Sequence, residues 1–322
     1  MIPEYLSVYG PLILQYFELK HSLGYLFAIE YRFRDFDRFL YEIHVTQIGL
    51  TRSICEIWSK RRPNEVEPNR YKRINDIRNF SVFLNGIGYP SYVPQLNASY
   101  KTTFIPHIFT QDEIARFFEA CDRLTVGKHS LSTQIYPAIF RLMYGCGLRE
   151  MEALSIHCKD VDLIAKTVYI RTSKNGEERI LPISESVTEV LSLYAIRYRQ
   201  NADDDDLFFV RKDGDPCSPS TLYKIFRKIL FAAHISHGGK GLGPRVHDFR
   251  HSFSVHTLAV MSDNNIDLYY SLPILSKYLG HKSIDATEKY VRLTADMYPG
   301  ILADVNQVCA YIFPEVYDYA SN

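Results

Sequence analysis

Four residues near the carboxyl-terminal end carry side chains whose types and spacing could do chemistry: His247, Arg250, His281 and Tyr290. The first pair lies in the run VHDFRHSFSVH and the second in LPILSKYLGHKSIDATEKYVRL. His247 and Arg250 are three apart, so on a helix they share a face. Leu279-Gly280-His281 reads as a helix stop, with Gly280 in the left-handed C′ position and His281 turned out of the helix axis. Ser283 then caps a short helix that carries Tyr290. A phenol beside two imidazoles and a guanidinium is a set suited to attack by tyrosine on a phosphodiester. That reaction needs a nucleophile relieved of its proton, stabilised charge on the pentavalent phosphorus, and a proton for the leaving 5′-oxygen. A phenol with an ordinary pKa of about 10 needs such help near neutrality.

The elements that must position these groups begin upstream. Ile135, Ile139, Leu142 and Met143 mark one face of a helix that breaks at Gly145-Cys146-Gly147, and another helix begins around Arg149-Glu150-Met151-Glu152. Arg149 is therefore expected in a first helical turn, near backbone N–H groups that favour an anion. Glu152 can hold its guanidinium side-on; the commoner alternative is an exposed i, i+3 ion pair. Strand patterns follow at residues 168–171 and 179–183, separated by Lys174-Asn175-Gly176-Glu177. Asn-Gly is a strong hairpin signal, because a type I′ turn needs positive φ at both central positions. Lys174 is thus the last residue before the turn, a place where most lysines are simply solvated. Ser184 and Ser218-Pro219 start further helices. Asp203 to Asp206 forms an acidic loop; metal carboxylates usually converge from separate elements, so no metal is assigned to it.

The first hundred residues read as an all-α unit. Apolar faces at helical spacing appear at Tyr5, Tyr9, Leu12, Ile13, Tyr16 and Phe17, then at Phe36, Phe39, Leu40 and Ile43. Two more follow at Ile54, Ile57 and Trp58, and at Ile77, Phe80 and Leu84. Arg52, Lys60, Arg61, Arg62, Arg70, Lys72, Arg73 and Arg78 form a basic cluster, which in an arbitrary protein is a solvated face. Residues 91–108 lack periodicity and read as a linker. Thr110 with Glu113 makes a capping box, stapled by Phe109 and Ile114, where a second domain can begin.

Composition sets the outer bounds. The 322 residues suffice for two domains, and 46% hydrophobic with 23% charged residues is ordinary for a soluble protein. Six cysteines without a Cys-x-x-Cys pair point to neither a zinc site nor a disulfide framework, and a reducing, cytoplasmic setting is expected. No signal peptide and no apolar run long enough to span a bilayer is present, so no membrane association is expected. Lysine plus arginine equals aspartate plus glutamate at 37 each, so any contact with phosphate must come from where charge lies and not from its sum.

HDFRH, YLGHKS and the tyrosine that follows resemble the second box of the tyrosine recombinases, the phage-integrase family, and GCGLREMEAL resembles the first. The resemblance covers residues 109 to about 295, and more loosely the first hundred. It implies a mainly α fold with a small antiparallel β-hairpin or sheet, divided into a helical core-binding domain over 1–106 and a catalytic domain over 107–322. It places Arg149, His247, Arg250, His281 and Tyr290 in the active site, with Glu152 in support. Lys174, five residues before Arg179, becomes the general acid, and the basic cluster of the first domain becomes a DNA clamp. The implied activity is metal- and nucleotide-free DNA cleavage and rejoining through a 3′-phosphotyrosine, as in enzymes of mobile elements. The implied partners are double-stranded DNA, further copies in a tetramer joined through the carboxyl-terminal helix around Ile301 to Ile312, and accessory DNA-binding factors. A type IB topoisomerase-like enzyme and a catalytically silent DNA-binding regulator remain as alternatives. Tyr278 and Tyr298 are the neighbouring phenols; each is expected to pack and not to react. The connection from Met261 to Ser271 is longer than the family's commonest pattern.

Overall fold

The structure, a computed structural model, describes residues 5–25, 30–96, 105–124, 132–171, 176–211, 214–239, 242–281, 283, 287, 289–290 and 293–294. Lys174 and Asn175, the start of the helix expected after Ser283, Tyr298 and the expected tail helix fall outside these residues. The chain divides into two compact units, Met1–Phe104 and Ile105–Asn322.

The first unit contains α1 (Gly10–Ser22), α2 (Glu30–Glu42), α3 (Arg52–Ser59) and α4 (Glu67–Gly86). Its core is aromatic: Tyr16, Phe17, Phe33 and Phe80 meet edge to face with centroids 5.2 to 5.5 Å apart, an arrangement the ring quadrupoles favour. Asp37, buried on α2, accepts the backbone N–H groups of Leu6 at 2.5 Å and Ser7 at 3.1 Å and so ties the entry of α1 to α2. Ile43 and Ile57, expected to point inward, face solvent. Ile43 lies just past the end of α2, and on α3 the buried stripe is Cys55 and Trp58, three apart, which turns Ile57 outward.

Arg73 departs further from expectation. On α4 it continues the stripe of Ile77, Phe80 and Leu84, and its side chain is 6% exposed. Nε and Nη2 grip the two oxygens of Glu65 at 2.8 and 2.7 Å, Nη1 donates to the Trp58 carbonyl and Nη2 to that of Lys60 at 3.0 Å. Arg73 is therefore an internal brace that closes the turn between α3 and α4, not a surface cation of the basic cluster.

The second unit opens on α5 (Gln111–Asp122). Thr110 Oγ1 accepts from the Glu113 backbone at 3.1 Å while the Glu113 carboxylate accepts from Thr110 N at 2.9 Å, the reciprocal cap read from the sequence. Helix α6 (Ser132–Cys146) packs against α5 and runs into the five-residue α7 (Glu150–Leu154). A three-stranded antiparallel sheet follows: β1 (Val161–Asp162), β2 (Thr167–Ile170) and β3 (Arg179–Pro182), with Val168 opposite Leu181 and Ile170 opposite Arg179. The edge strand β1, at two residues, is too short to show alternation in the sequence. Helices α8 (Glu185–Tyr198) and α9 (Pro219–Ala232) are capped by Ser184 and Ser218. The last described helices are α10 (Asp248–Asp263) and α11 (Leu268–Leu279). Most of the stretch read as a long connection, Met261 to Ser271, is thus the end of α10 and the first turn of α11. One core built on Phe109, Phe117, Phe140, Phe226 and Phe249 joins α5, α6, α9 and α10. No helix among the described residues is long and apolar enough to cross a membrane.

Replacing Arg73 with alanine would leave the carboxylate of Glu65, 10% exposed, without its partner. The first unit should lose about 3 kcal/mol, the usual scale for breaking a buried pair. Lys72→Ala, at an exposed position next door, should change stability by less than about 0.5 kcal/mol. Urea denaturation of both variants checks the contrast, and equal midpoints would remove the brace.

Candidate active site

The site is assembled from the ends of elements. Gly147, at φ +59°, turns the chain out of α6; a Cβ there would lie 2.5 Å from the ring of Phe253, so only glycine fits. Arg149 follows as the N-cap residue of α7, in extended backbone just ahead of the helix and not within its first turn. Its backbone N–H donates to Glu152 Oε2 at 3.0 Å and its Nη1 to Oε1 at 2.7 Å. Glu152 is 2% exposed, which disposes of a solvated i, i+3 pair. A residue not assigned from sequence, Arg179 at the start of β3, binds both oxygens of the same carboxylate at 3.3 and 2.9 Å.

Arg250 enters from the first turn of α10 and is 1% exposed. Nη1 donates to the Gly147 carbonyl at 2.8 Å and lies 3.9 Å from Glu152 Oε2; Nη2 donates to the Leu279 carbonyl at 2.6 Å. Gly280, at φ +66°, ends α11 in the left-handed conformation and lets His281 turn back toward α10. Arg250 Nη2 and His281 Nε2 are 3.0 Å apart. A guanidinium only donates, so Nε2 is the acceptor and the imidazole proton sits on Nδ1, which meets Thr287 Oγ1 at 2.7 Å. The structure thus gives His281 an acceptor's role toward Arg250.

Tyr290 is 1% exposed and packs with Leu258, Leu275 and Leu279. Its ring stacks at 17° to that of His281, with centroids 6.2 Å apart, and lies 5.6 Å from His251. Burial raises its pKa, against the lowering influence of Arg250 and Ser254 beside the hydroxyl. His247 reaches this group through His251, centroids 4.9 Å apart. His251, four residues from His247, could have been found by the same helical-face argument that linked His247 to Arg250. Lys289 places its ammonium 5.0 Å from the Tyr290 centroid, a neighbour no spacing rule would single out. Tyr278 packs as expected: it stacks on Phe253 and its hydroxyl donates to the Pro182 carbonyl at 3.1 Å.

The electrostatics of this cluster have one sign. Arg149, Arg179 and Arg250 surround the carboxylate of Glu152, and Lys289 adds a further cation near Arg250 and Arg149. Burial, then Arg149, pulls Arg250 down to about 10. Burial, then Arg250, pulls His281 down to about 4. Crowding by protein atoms and then Arg250 lower His247, although the residue is open to solvent. Burial, then His247, lowers His251 to about 3. Burial lowers each of these bases first, and the neighbouring cations add in the same direction, a field that favours an anion. A dianionic or monoanionic phosphate is of the size and charge that such a cluster of donors accommodates.

The basic cluster of the first unit is a mixture. Lys60, Arg61, Arg62 and Lys72 are exposed, and Arg62 lies over the Trp58 ring at 4.5 Å. Arg52 is exposed but paired with Glu56 at 2.7 Å; Arg70 donates to the Ser59 carbonyl at 2.9 Å and Arg78 to that of Pro94 at 2.8 Å. The acidic loop is engaged by protein cations, Lys159 with Asp205 and Arg199 with Asp206 at 3.4 Å.

The model of the phage integrase family matches residues 107–297. A putative integrase/recombinase, y4rB of Sinorhizobium fredii, is 26% identical over 295 residues, which is 89% of this chain and 93% of that protein. Tyrosine recombinase XerA of Pyrococcus furiosus is 28% identical over 196 residues, 59% of each chain. Among solved structures, the Tn1549 transposon integrase in complex with a circular intermediate DNA has a TM-score of 0.62 at 16% identity, covering 85% of this chain and 92% of that one. A lambda integrase dimer bound to a COC′ core site has a TM-score of 0.60 at 14% identity, covering 88% and 77%. At such identities these two speak for the fold.

The depressed imidazoles make stability depend on pH. The folded pKa of His281, about 4, lies below the unfolded value of about 6.5, so between the two the unfolded chain binds the extra proton. Stability contributed by the neutral ring is present above pH 6.5 and is lost as pH falls toward 4. The loss should be on the order of 2 kcal/mol, and His281→Asn should flatten the profile by that amount. Unfolding free energies at several pH values test this; parallel profiles would mean that His281 titrates normally.

Proposed function

The chain belongs to the phage integrase family, and from that membership we propose that it acts as a tyrosine-type site-specific DNA recombinase, binding double-stranded DNA and cleaving and rejoining its strands through a 3′-phosphotyrosine link. The observation that carries the reading is the buried, cation-rich pocket with one carboxylate into which Tyr290 is packed. Tyr290 Oη attacks the phosphorus, its bond to phosphorus forms as the P–O5′ bond breaks, and the phenolic proton leaves toward the imidazoles. Arg149 and Arg250 carry the charge that builds on the non-bridging oxygens, as preorganised and permanent donors. An arriving phosphate raises the pKa of His281 back toward neutrality, so that Nε2 can take a proton and become a third donor. Lys174 supplies the proton for the 5′-oxygen. The bond energy stays in the phosphotyrosine for rejoining, so neither metal nor nucleotide takes part.

The 1–106 segment serves in this reading as a DNA clamp through Lys60, Arg61, Arg62 and Lys72, with Arg52, Arg70 and Arg78 at its margins. Strand exchange takes place in a tetramer on DNA, in the cytoplasm, with the carboxyl-terminal segment joining neighbouring copies.

Tyr290→Phe should retain DNA affinity and form no covalent protein–DNA adduct on a nicked suicide duplex, because only the nucleophilic oxygen is gone. An adduct formed by that variant would sink the assignment. Lys174→Ala should slow cleavage by about 100-fold or more on ordinary DNA, within the usual range for loss of a general acid. A 5′-bridging phosphorothiolate, whose sulfur departs without a proton, should restore the rate. An equal defect on both substrates would give Lys174 some other part.

A further inference from the structure

Arg179 has every guanidinium nitrogen committed. Nε donates to the Tyr278 carbonyl at 2.9 Å, Nη1 to Glu152 Oε1 at 3.3 Å and Nη2 to Glu152 Oε2 at 2.9 Å, and the side chain is 7% exposed. Gly280 is pressed against it: a Cβ there would come within 3.0 Å of Nη1. Three of its five N–H groups are used in this way, and little of the fork is left open to a ligand. Arg149 differs. Among the described residues it commits Nη1 alone to Glu152, and it keeps 19% of its side chain exposed. Two arginines share one carboxylate, and their donors divide the work between them.

The three bonds of Arg179 also join three separate segments. Its own strand is β3, paired with β2. Glu152 lies in α7 and fixes Arg149. Tyr278 lies in the last turn of α11, directly ahead of Leu279, whose carbonyl binds Arg250, and of His281. Resting on the recombinase reading above, we infer that Arg179 is a positioning residue for strand transfer: it locks β3, the start of α7 and the end of α11 into one frame, so that Arg149 and His281 converge on the same phosphate. Lysine cannot substitute, because one compact ammonium does not span a carboxylate and a carbonyl as a planar fork does.

The test uses the full chain and nicked suicide duplexes carrying a site enriched from random-sequence DNA on that chain. Arg179→Lys should form the covalent adduct about 10- to 100-fold more slowly at saturating DNA, the scale of a misplaced catalytic group. Its DNA affinity and the salt dependence of that affinity should match the wild type. In a Glu152→Gln background the same substitution should cost clearly less than it does alone, since the two changes share the linkage between Arg179 and Glu152. Arg179→Met removes one of several crowded cations while keeping the stem, and it serves if the lysine variant does not fold. Three results would overturn the inference. The first is an unchanged rate. The second is weaker binding with a salt slope shallower by about 1, which marks a direct phosphate contact. The third is additivity with Glu152→Gln. A wild-type chain that forms no adduct at all would instead remove the recombinase reading, and this inference with it.

Discussion

The second unit depends on one carboxylate. Glu152 is nearly fully buried and meets the guanidinia of Arg149 and Arg179, with that of Arg250 at the edge of contact. Burying an ion is costly unless geometry and hydrogen bonding are nearly complete, and here both oxygens are bound from two directions. The hydrogen bonds from Arg179 and Arg149 hold its pKa below the usual carboxylate range, against the raising effect of burial. The arrangement is nonetheless unbalanced in charge, and the imbalance is local. A chain with equal numbers of acidic and basic residues keeps this small volume strongly positive.

The same imbalance explains why the phenol and the imidazoles share a pocket without a proton passing between them. With no anion in place, each imidazole is held neutral by burial and then by its cationic or imidazole neighbours, and the phenol is held protonated by burial. The groups are set for a charge they do not themselves contain. Supplying that charge shifts all of them in the same direction, so ligand and protonation are linked through the field and not through one bond.

Much of this was legible in the sequence. The capping box at Thr110, the serine caps at Ser184 and Ser218 and the glycine stop at Gly280 each appear where local rules place them. The parts that escaped depend on tertiary convergence. Arg179 looks like an ordinary strand residue until β3, α7 and the end of α11 come together. His251 was hidden beside two more prominent neighbours. Arg73 looks like a surface cation because charge masks its place in a heptad with Ile77, Phe80 and Leu84. Local periodicity would have put it inside, and a buried glutamate and two carbonyls make that tolerable.

The environment of Trp58 has an optical consequence. It is the chain's only tryptophan, it lies in the first unit, and guanidinium groups of Arg62 and Arg73 sit 4.5 and 5.1 Å from its ring. Indole emission therefore originates in that unit. Arg73 is fixed, whereas Arg62 is 44% exposed and can swing away toward a passing anion. Removing a cation from the face of the indole changes both the intensity and the colour of its emission. The molecule thus carries a built-in fluorophore for the arrival of an anion at the first unit.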